Sequence, residues 1–136
     1  MADEAIIVEL LGNQEDPIRY TCADNTGIAK GALLELTTPR TVVTSSQVDV
    51  PFVGIAAAEK VANDGQTSIA VYTNGIFQLT VKNGGTPATI GDHVSLSSVA
   101  NRVELSATLD KEKGYSVGEA MEAIASDAIG MVRIHK

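Results

Sequence analysis

The sequence has few of the residues that proteins use for disulfide bonds, for aromatic stacking and for contact with polyanions. Cys22 is the one cysteine among 136 residues, which excludes an internal disulfide and a cysteine-based metal site. Tryptophan is absent and aromatic residues make up only 4%, so a surface that stacks sugars or bases is not favoured. Ten Lys and Arg against 17 Asp and Glu leave a net charge of −7, which repels phosphate backbones and anionic lipids. The composition therefore predicts neither a nucleic-acid partner nor a membrane partner.

Long apolar runs are also missing, although the overall composition is that of a folded domain. Hydrophobic residues make up 44% and charged residues 20%, within the ordinary globular range. No run approaches the length needed to span a bilayer. The first four residues, 1–4, are acidic where a secretory signal needs a basic start, so we expect synthesis in the cytoplasm.

Alternation of apolar and polar residues with period two is the main structural signal. Phe77, Leu79 and Val81 fall on one face of an extended chain, opposite Gln78, Thr80 and Lys82. The same pattern recurs around Ile6–Leu10, Ala32–Leu36, Ile69–Val71, Val94–Leu96, Val103–Leu105 and Val132–Ile134. Asn- and Gly-rich turns separate these runs. The sequence therefore predicts an all-β fold, a sandwich or a barrel.

Two segments, 55–62 and 119–125, are rich in Ala, Glu and Met or Lys and so have helical propensity. Each is too short for more than about two helical turns, and propensity is readily overridden by tertiary context. We interpret both as strands that carry at most a short helical turn.

The sequence also repeats internally. A Gly-opened strand (30–36), a short strand (41–43), a Val-Gly-x-Ala strand (52–61) and a closing strand (67–72) recur in the same order at 90–96, 102–105, 116–124 and 129–135. These pseudo-repeats, about 30–82 and 90–135, would pack face to face or close into one pseudo-symmetric barrel.

One motif has the form of a catalytic site. Gly114–Gly118 fits the G-x-S-x-G pattern around a nucleophilic serine, and Asp127 and His135 follow Ser116 in the order of α/β-hydrolases. That elbow requires a parallel sheet with crossover helices, for which the twenty residues after Ser116 leave no room. We therefore interpret Ser116 as opening a strand and expect no catalytic residues.

Other polar residues do not form a recognisable metal or cofactor site. His93 and His135 are the only histidines, and no metal-binding spacing joins them. Asp92 and His93 are neighbours in a predicted strand, so their side chains point to opposite faces. We expect no metal and no cofactor.

Taken together, the fragments "ADNTGIAKGALLELTTPRTVVTSS", "FVGIAAAEKV", "GQTSIAVYTNGIFQL", "ATIGDHVSLSS", "SVGEAMEAI" and "IGMVRIH" resemble a family of small capsid decoration (cement) proteins of tailed phages and archaeal viruses. The resemblance covers nearly the whole chain after about residue 18. Its elements are individually weak, and their order and spacing carry the likeness. Members of this family are structural proteins encoded beside the major capsid protein.

The resemblance implies a compact β-barrel or β-tulip-like domain over residues 18–136, preceded by an arm over residues 1–17. It implies a homotrimer on the outer surface of an HK97-type capsid, where it contacts the major capsid protein and bridges capsomers. It offers no catalytic residues. Because related arms add to a capsid strand on docking, the candidate capsid-contact residues are those of the β-prone start of the chain: Ala2, Asp3, Glu4, Ala5, Ile6, Ile7 and Val8.

Two other functions fit the sequence less well. A non-catalytic adhesion or fibre-associated module on the same kind of particle would need exposed aromatic residues, of which there are few. A small serine hydrolase would need Ser116, Asp127 and His135 to meet.

Overall fold

The structure, a computed structural model, describes residues 4–9, 17–106 and 114–135. Over these residues it contains eleven β-strands and no helix, so the all-β prediction is confirmed. The strands are β1 (Ile6–Glu9), β2 (Ile18–Thr21), β3 (Leu33–Thr38), β4 (Thr41–Thr44), β5 (Phe52–Ala56), β6 (Ser68–Tyr72), β7 (Asn74–Val81), β8 (His93–Leu96), β9 (Arg102–Leu105), β10 (Ser116–Ala120) and β11 (Ile129–His135).

The first five strands after β1 close into a barrel, which we call barrel 1. Its strand order is β2-β4-β3-β5-β6, and all neighbours are antiparallel except β2 and β4, which pair in parallel at Thr21 and Thr41. Alternate residues of each strand point inward, as the period-two pattern predicts. Together with Cys22, Ile28 and Ala32, which lie between β2 and β3, they form an apolar core that also contains Leu34, Val42, Val53, Ala56, Ile69 and Val71.

The last five strands close into barrel 2 with the same topology. Its order is β7-β9-β8-β10-β11, and its parallel pair is β7 with β9, at Thr80–Arg102 and Val81–Val103. β1 is a sixth strand attached to β7. Strand for strand, β2 to β6 correspond to β7 to β11, so the repeat seen in the sequence is a repeat of the whole barrel.

The sequence analysis expected a single barrel over residues 18–136, whereas the strands form two closed barrels. The first pseudo-repeat, predicted over about 30–82, includes β7, but β7 belongs to barrel 2, and barrel 1 is completed by β2, which precedes residue 30. Five strands are then enough to close each sheet on itself. The proposed boundary between an arm and a domain at residue 17 remains a prediction.

The two segments with helical propensity begin as strands. β5 ends at Ala56 and β10 at Ala120, and the residues that follow are turns, bends and isolated bridges. Gly54 and Gly118 explain the strand: a Cβ at either position would overlap a neighbouring carbonyl oxygen, that of Tyr72 or of Arg133 respectively. Close backbone pairing on both sides therefore overrides the local preference for helix.

Each barrel is closed at one end by a buried side chain, and we call this its plug end. In barrel 1 the plug is Lys60, which is 2% exposed and lies in an isolated bridge with Ile28. In barrel 2 it is Ile124, 1% exposed and bridged to Ala88. The opposite end of each barrel carries the hairpin between its second and third strands, and we call it the hairpin end.

The barrels meet at a junction where barrel 1 presents its outer face. Leu33, Phe52 and Ile55 point away from the core of barrel 1, are almost fully buried, and belong to the core cluster of barrel 2. The Leu33 amide donates to Asn101 Oδ1 at 3.0 Å, in the β8–β9 hairpin. The Phe52 amide donates to the Gly114 carbonyl at 3.2 Å. The outer face of β3 and β5 therefore covers the hairpin end of barrel 2.

Candidate contact surface

The start of the chain, predicted to contact a capsid, lies along barrel 2. Ala2 and Asp3 are outside the described residues. The Ala5 amide donates to the Gly31 carbonyl at 2.6 Å, and Glu4 Oε2 accepts from Asn101 Nδ2 at 3.3 Å. β1 then pairs antiparallel with β7, matching Ile6 to Gln78 and Ile7 to Phe77 before a bulge. These residues thus contact both barrels and leave much of Ile6, Ile7 and Val8 exposed, at 51%, 37% and 45%.

Beside β1, exposed apolar side chains continue across the outside of barrel 2. Cross-strand pairing puts Ile6 next to Gln78 and Gln78 next to Met131, while Ile129 pairs with Thr80 one row along. The Met121 amide donates to the Met131 carbonyl at 2.9 Å, which brings the residue after β10 beside this row. We call Ile6, Met121, Ile129 and Met131 the apolar outer face. Ile6, Met121 and Ile129 are 51%, 45% and 50% exposed, and Met131 is half-buried.

The most exposed of the large apolar side chains described, Ile90, lies near this face. It is 77% exposed, and the amide of the next residue, Gly91, donates to the Ala120 carbonyl at 2.8 Å, directly before Met121. Single exposed apolar residues are ordinary, but several on neighbouring strands indicate a protein-binding surface. The apolar outer face is therefore the strongest candidate for a contact surface among the described residues.

Sequence reasoning missed most of this face. It assigned Val132 and Ile134 to the core correctly, since both are fully buried. It did not use Ile129 and Met131, which alternate with them on the outer side. The first half of β11 is apolar on its outer face as well, through Ile129 and Met131, and this is the signal that could have identified them.

The Ser116, Asp127 and His135 combination does not form a triad. Ser116 Oγ lies 3.1 Å from Nδ1 of His93, and His135 Nε2 lies 3.1 Å from Oε1 of Glu119. Asp127 is paired with Arg102. Ser116 opens a strand between antiparallel neighbours and not a strand-to-helix elbow, as the sequence analysis inferred.

Lys60, the plug of barrel 1, is the least exposed of the charged residues whose burial the structure describes, and its ammonium reaches the end of the barrel. Nζ donates to the carbonyls of Asp24 and Val61 at 2.8 and 3.1 Å and to Asp64 Oδ1 at 3.0 Å. Burial by itself lowers the pKa of Lys60, but the hydrogen bond to Asp64 and the charges of Asp64 and Asp24 outweigh burial and raise it. The pKa of Asp64 is lowered, first by the Gln66 amide and then by Lys60. This ion pair fastens a turn, and its three acceptors match the three donors of the ammonium.

Sequence reasoning did not single out Lys60, because it interpreted residues 55–62 only as a strand that carries at most a short helical turn. The repeat alignment contained the signal: it pairs "VGIAAAEK" with "VGEAMEAI" and so puts Lys60 opposite Ile124. A lysine aligned with an apolar core position is a candidate for burial with a carboxylate partner.

Over residues 4–9, 17–106 and 114–135, no group of three or more His, Cys, Asp or Glu is placed to hold a metal ion. The same residues contain no helix that could cross a membrane.

The fold and this surface define a class: a small all-β protein of two like barrels, with an exposed apolar face and a serine motif that does not assemble into a triad. The comparison with known families narrows the class, because the model for phage cement proteins matches residues 12–134. The chain belongs to the phage cement protein family. It is therefore a structural protein that decorates the virion and associates with the phage capsid. No curated protein matches the chain.

Proposed function

We propose that this protein docks on the outer surface of an HK97-type capsid through its apolar outer face, contacts the major capsid protein there and bridges neighbouring capsomers. The observation that carries the proposal is the group of apolar side chains on the two strands that flank β7: the exposed Ile6 on β1, and the exposed Ile129 and half-buried Met131 on β11. The polar residues Gln78 and Thr80 of β7 lie between them. Synthesis in the host cytoplasm and assembly as a homotrimer belong to the same proposal. A symmetric shell multiplies many modest contacts, so such a surface needs no deep pocket.

β1 supports a second mode of docking, in which a strand of another chain pairs with its exposed edge. It stands at the end of the sheet order, so among the described residues one of its edges has no strand partner. An exposed edge with alternating apolar residues can accept a strand from another chain. The candidate contact residues Glu4 to Val8 lie on or next to this edge, and Ala2 and Asp3 precede it in sequence.

The test is a binding assay with capsids that lack the decoration protein. Ile129→Lys and Met131→Lys put a charge into the apolar outer face without touching the core. Each is expected to weaken co-sedimentation with capsids by about tenfold to a hundredfold, the usual effect of disrupting a central contact. Val61→Lys is the matched control, because Val61 is 59% exposed but lies at the plug end of barrel 1. Equal binding of all three variants would rule out this face.

A second pair of variants separates the edge from the face. Deleting residues 2–11 would also remove the pairing of β1 with β7, so its effect on binding is mixed with an effect on stability. Val8→Asp keeps the backbone and changes an exposed side chain that does not belong to the apolar outer face. If the edge adds a capsid strand, this variant keeps part of its binding while the deletion loses it.

A further inference from the structure

The two barrels differ sharply in one row of outward-pointing residues. In barrel 1 the row is Leu33, Ile55 and Tyr72, paired across β3, β5 and β6. In barrel 2 the equivalent positions, paired in the same way across β8, β10 and β11, are His93, Glu119 and Arg133. An apolar row thus corresponds to a charged and polar row at identical places in the fold.

The apolar row is buried because it lies at the junction. Leu33 and Ile55 are fully buried, and Tyr72 packs against the same cluster. They cover the hairpin end of barrel 2, where the backbone amide of Asn101 donates to Ser45 Oγ at 3.2 Å. The junction is therefore heterologous: the outer face of one barrel meets the hairpin end of the other.

A heterologous contact between two like units leaves one copy of each surface outside the junction. The outer face outside the junction is the row His93, Glu119 and Arg133, where His93 and Arg133 are half-buried and the Glu119 side chain is 41% exposed. The hairpin end outside the junction is that of barrel 1. Ile18 there is 43% exposed, whereas Phe77, its equivalent in barrel 2, is fully buried.

The equivalent hairpin residues of the two barrels also differ in exposure: the residue is buried in barrel 2 and exposed in barrel 1. Asn101 in barrel 2 is 6% exposed and has a φ of 63°. Its equivalent in barrel 1, Arg40, has a φ of 51° and is exposed, with Cζ 5.9 Å from the centre of the Tyr20 ring and Nη2 donating to the Arg19 carbonyl at 2.8 Å. The hairpin end of barrel 1 therefore carries an exposed cation, Arg40. The row of barrel 2 carries an anion, Glu119, which pairs across the strands with Arg133 and contacts His135 Nε2 at 3.1 Å.

We infer that the hairpin end of barrel 1 docks on the His93, Glu119 and Arg133 row of a second copy of this chain. The contact repeats between molecules the junction that joins the two barrels within one molecule. Arg40 takes the place that Asn101 has in the junction, where Asn101 accepts from the Leu33 amide. This puts Arg40 beside His93, the equivalent of Leu33, and next to Glu119 on the neighbouring strand. Because this contact is head to tail, it closes into a ring only when the rotation between copies permits.

The charged character of both surfaces fits a contact made between separate molecules. A row of Leu, Ile and Tyr exposed on a monomer would be an aggregation hazard, and a charged row is not. Opposite charges also select the correct register, since like charges brought together there are costly. The inference deepens the proposed self-association by naming its two surfaces, and it does not depend on which face binds the capsid.

Charge reversal tests the contact in solution. Arg40→Glu and Glu119→Arg are each expected to weaken self-association of the full chain by about a hundredfold in sedimentation or light-scattering titrations, because each brings like charges together. The double variant restores an Arg and Glu pair between copies and is expected to recover most of the association. Wild-type self-association that neither single variant changes, or a wild-type chain that stays monomeric, would overturn the inference.

Disulfide trapping tests the geometry directly. Arg40→Cys and Glu119→Cys chains, each with Cys22→Val, are mixed and oxidised, so only a contact between copies can join the two sites. A heterodimer that forms well above the level of either variant alone supports the contact. Gln66→Cys in place of Arg40→Cys is the matched control, since Gln66 is exposed at the plug end of barrel 1. Equal trapping of the control would count against the proposed surfaces.

The outcome can be separated from that of the proposed function. Capsid binding by Arg40→Glu reports on the apolar outer face, which this substitution leaves unchanged. If Arg40→Glu is monomeric but still binds capsids weakly, both proposals stand. If Met131→Lys assembles normally but does not lose capsid binding, the proposed docking face fails and the self-contact stands.

Discussion

The two barrels share every strand pairing but close their plug ends with side chains of opposite character. Barrel 1 uses Lys60, whose ammonium is held by backbone carbonyls and Asp64, and barrel 2 uses Ile124. Both side chains fill a similar volume under an isolated bridge. The lysine can do this because its four-carbon stem is apolar and only its tip needs polar partners. The framework thus specifies the size of the plug, while local partners decide whether it is charged.

The barrels are alike, in contrast, where backbone meets backbone. Gly54 and Gly118 occupy equivalent positions, and at each a Cβ would overlap the carbonyl of an equivalent residue, Tyr72 or Arg133. A charged plug can replace an apolar one, but no other residue fits at either glycine, because every other residue has a Cβ. The glycines are therefore the positions at which the two barrels should respond in the same way to substitution.

The largest effect is expected from Gly118→Ala and Gly54→Ala. Either methyl group would force a central strand away from its neighbour, so we expect a loss of about 4 kcal/mol or more, or a failure to fold. Denaturant titration of purified protein measures the loss. Gly84→Ala is the control: it has a φ of 78° but nothing within 4 Å of its Cβ, and it should cost only about 1 kcal/mol. Tolerance of Ala at one glycine but not the other would show that the barrels are not equivalent there.

Exchange of the plugs should have the next largest effect. Ile124→Lys buries an ammonium in barrel 2, where Ala128 occupies the position equivalent to Asp64, and it is expected to destabilise the protein by about 3–5 kcal/mol. Lys60→Met keeps the volume but leaves Asp64 without its cation, so adding Asp64→Asn should recover part of the loss. Urea unfolding of the single and double variants measures the coupling. Additive losses for Lys60→Met and Asp64→Asn would contradict the role of the pair.

The smallest effect is expected in the dependence of stability on pH, where the two barrels should behave alike in acid and differ in alkali. Each barrel has a carboxylate of lowered pKa: Asp64, and Asp92, which accepts from the amide and hydroxyl of Thr89. A lowered pKa means that the stabilisation is present above the unfolded-state pKa and is lost as the pH falls through the folded-state pKa. Asp64→Asn and Asp92→Asn should therefore each reduce the acid dependence of the melting temperature.

Only barrel 1 should respond at alkaline pH through its plug. The raised pKa of Lys60 means that its stabilisation is complete below the unfolded-state pKa and is lost as the pH rises through the folded-state value. Melting curves of wild type and Lys60→Met at increasing alkaline pH should converge, since the variant lacks this titration. Parallel curves would show that the Lys60 and Asp64 pair does not contribute.

Strand positions were largely predictable, because period-two alternation follows directly from burial of one face. The prediction at Phe77 to Val81 is confirmed in β7, and that at Val132 to Ile134 in β11. The pairing of those strands was not predictable. The parallel pairs of β2 with β4 and β7 with β9, which close the barrels, join segments about twenty residues apart and depend on contacts that no local pattern encodes.

The candidate surface was predictable only in part. The β-prone start of the chain was visible as an alternating segment, and Ile6 does lie on the surface. Ile129 and Met131 join it only because β11 and β1 flank the same strand, β7. The roles proposed for Arg40 and Glu119 follow only from comparison with their equivalents in the other barrel, Asn101 and Ile55. That comparison requires the strand registers of both barrels.

The position of β1 has a mechanical consequence for any load applied at the amino end of the chain. Because β1 runs antiparallel along β7, a pull along its axis would strain its hydrogen bonds side by side in shear and not one after another. The bonds from Ala5 to Gly31 and from Glu4 to Asn101 would pass part of that force to barrel 1 and to the hairpin of barrel 2. A tether attached at this point would therefore stretch both halves of the molecule together instead of peeling one from the other.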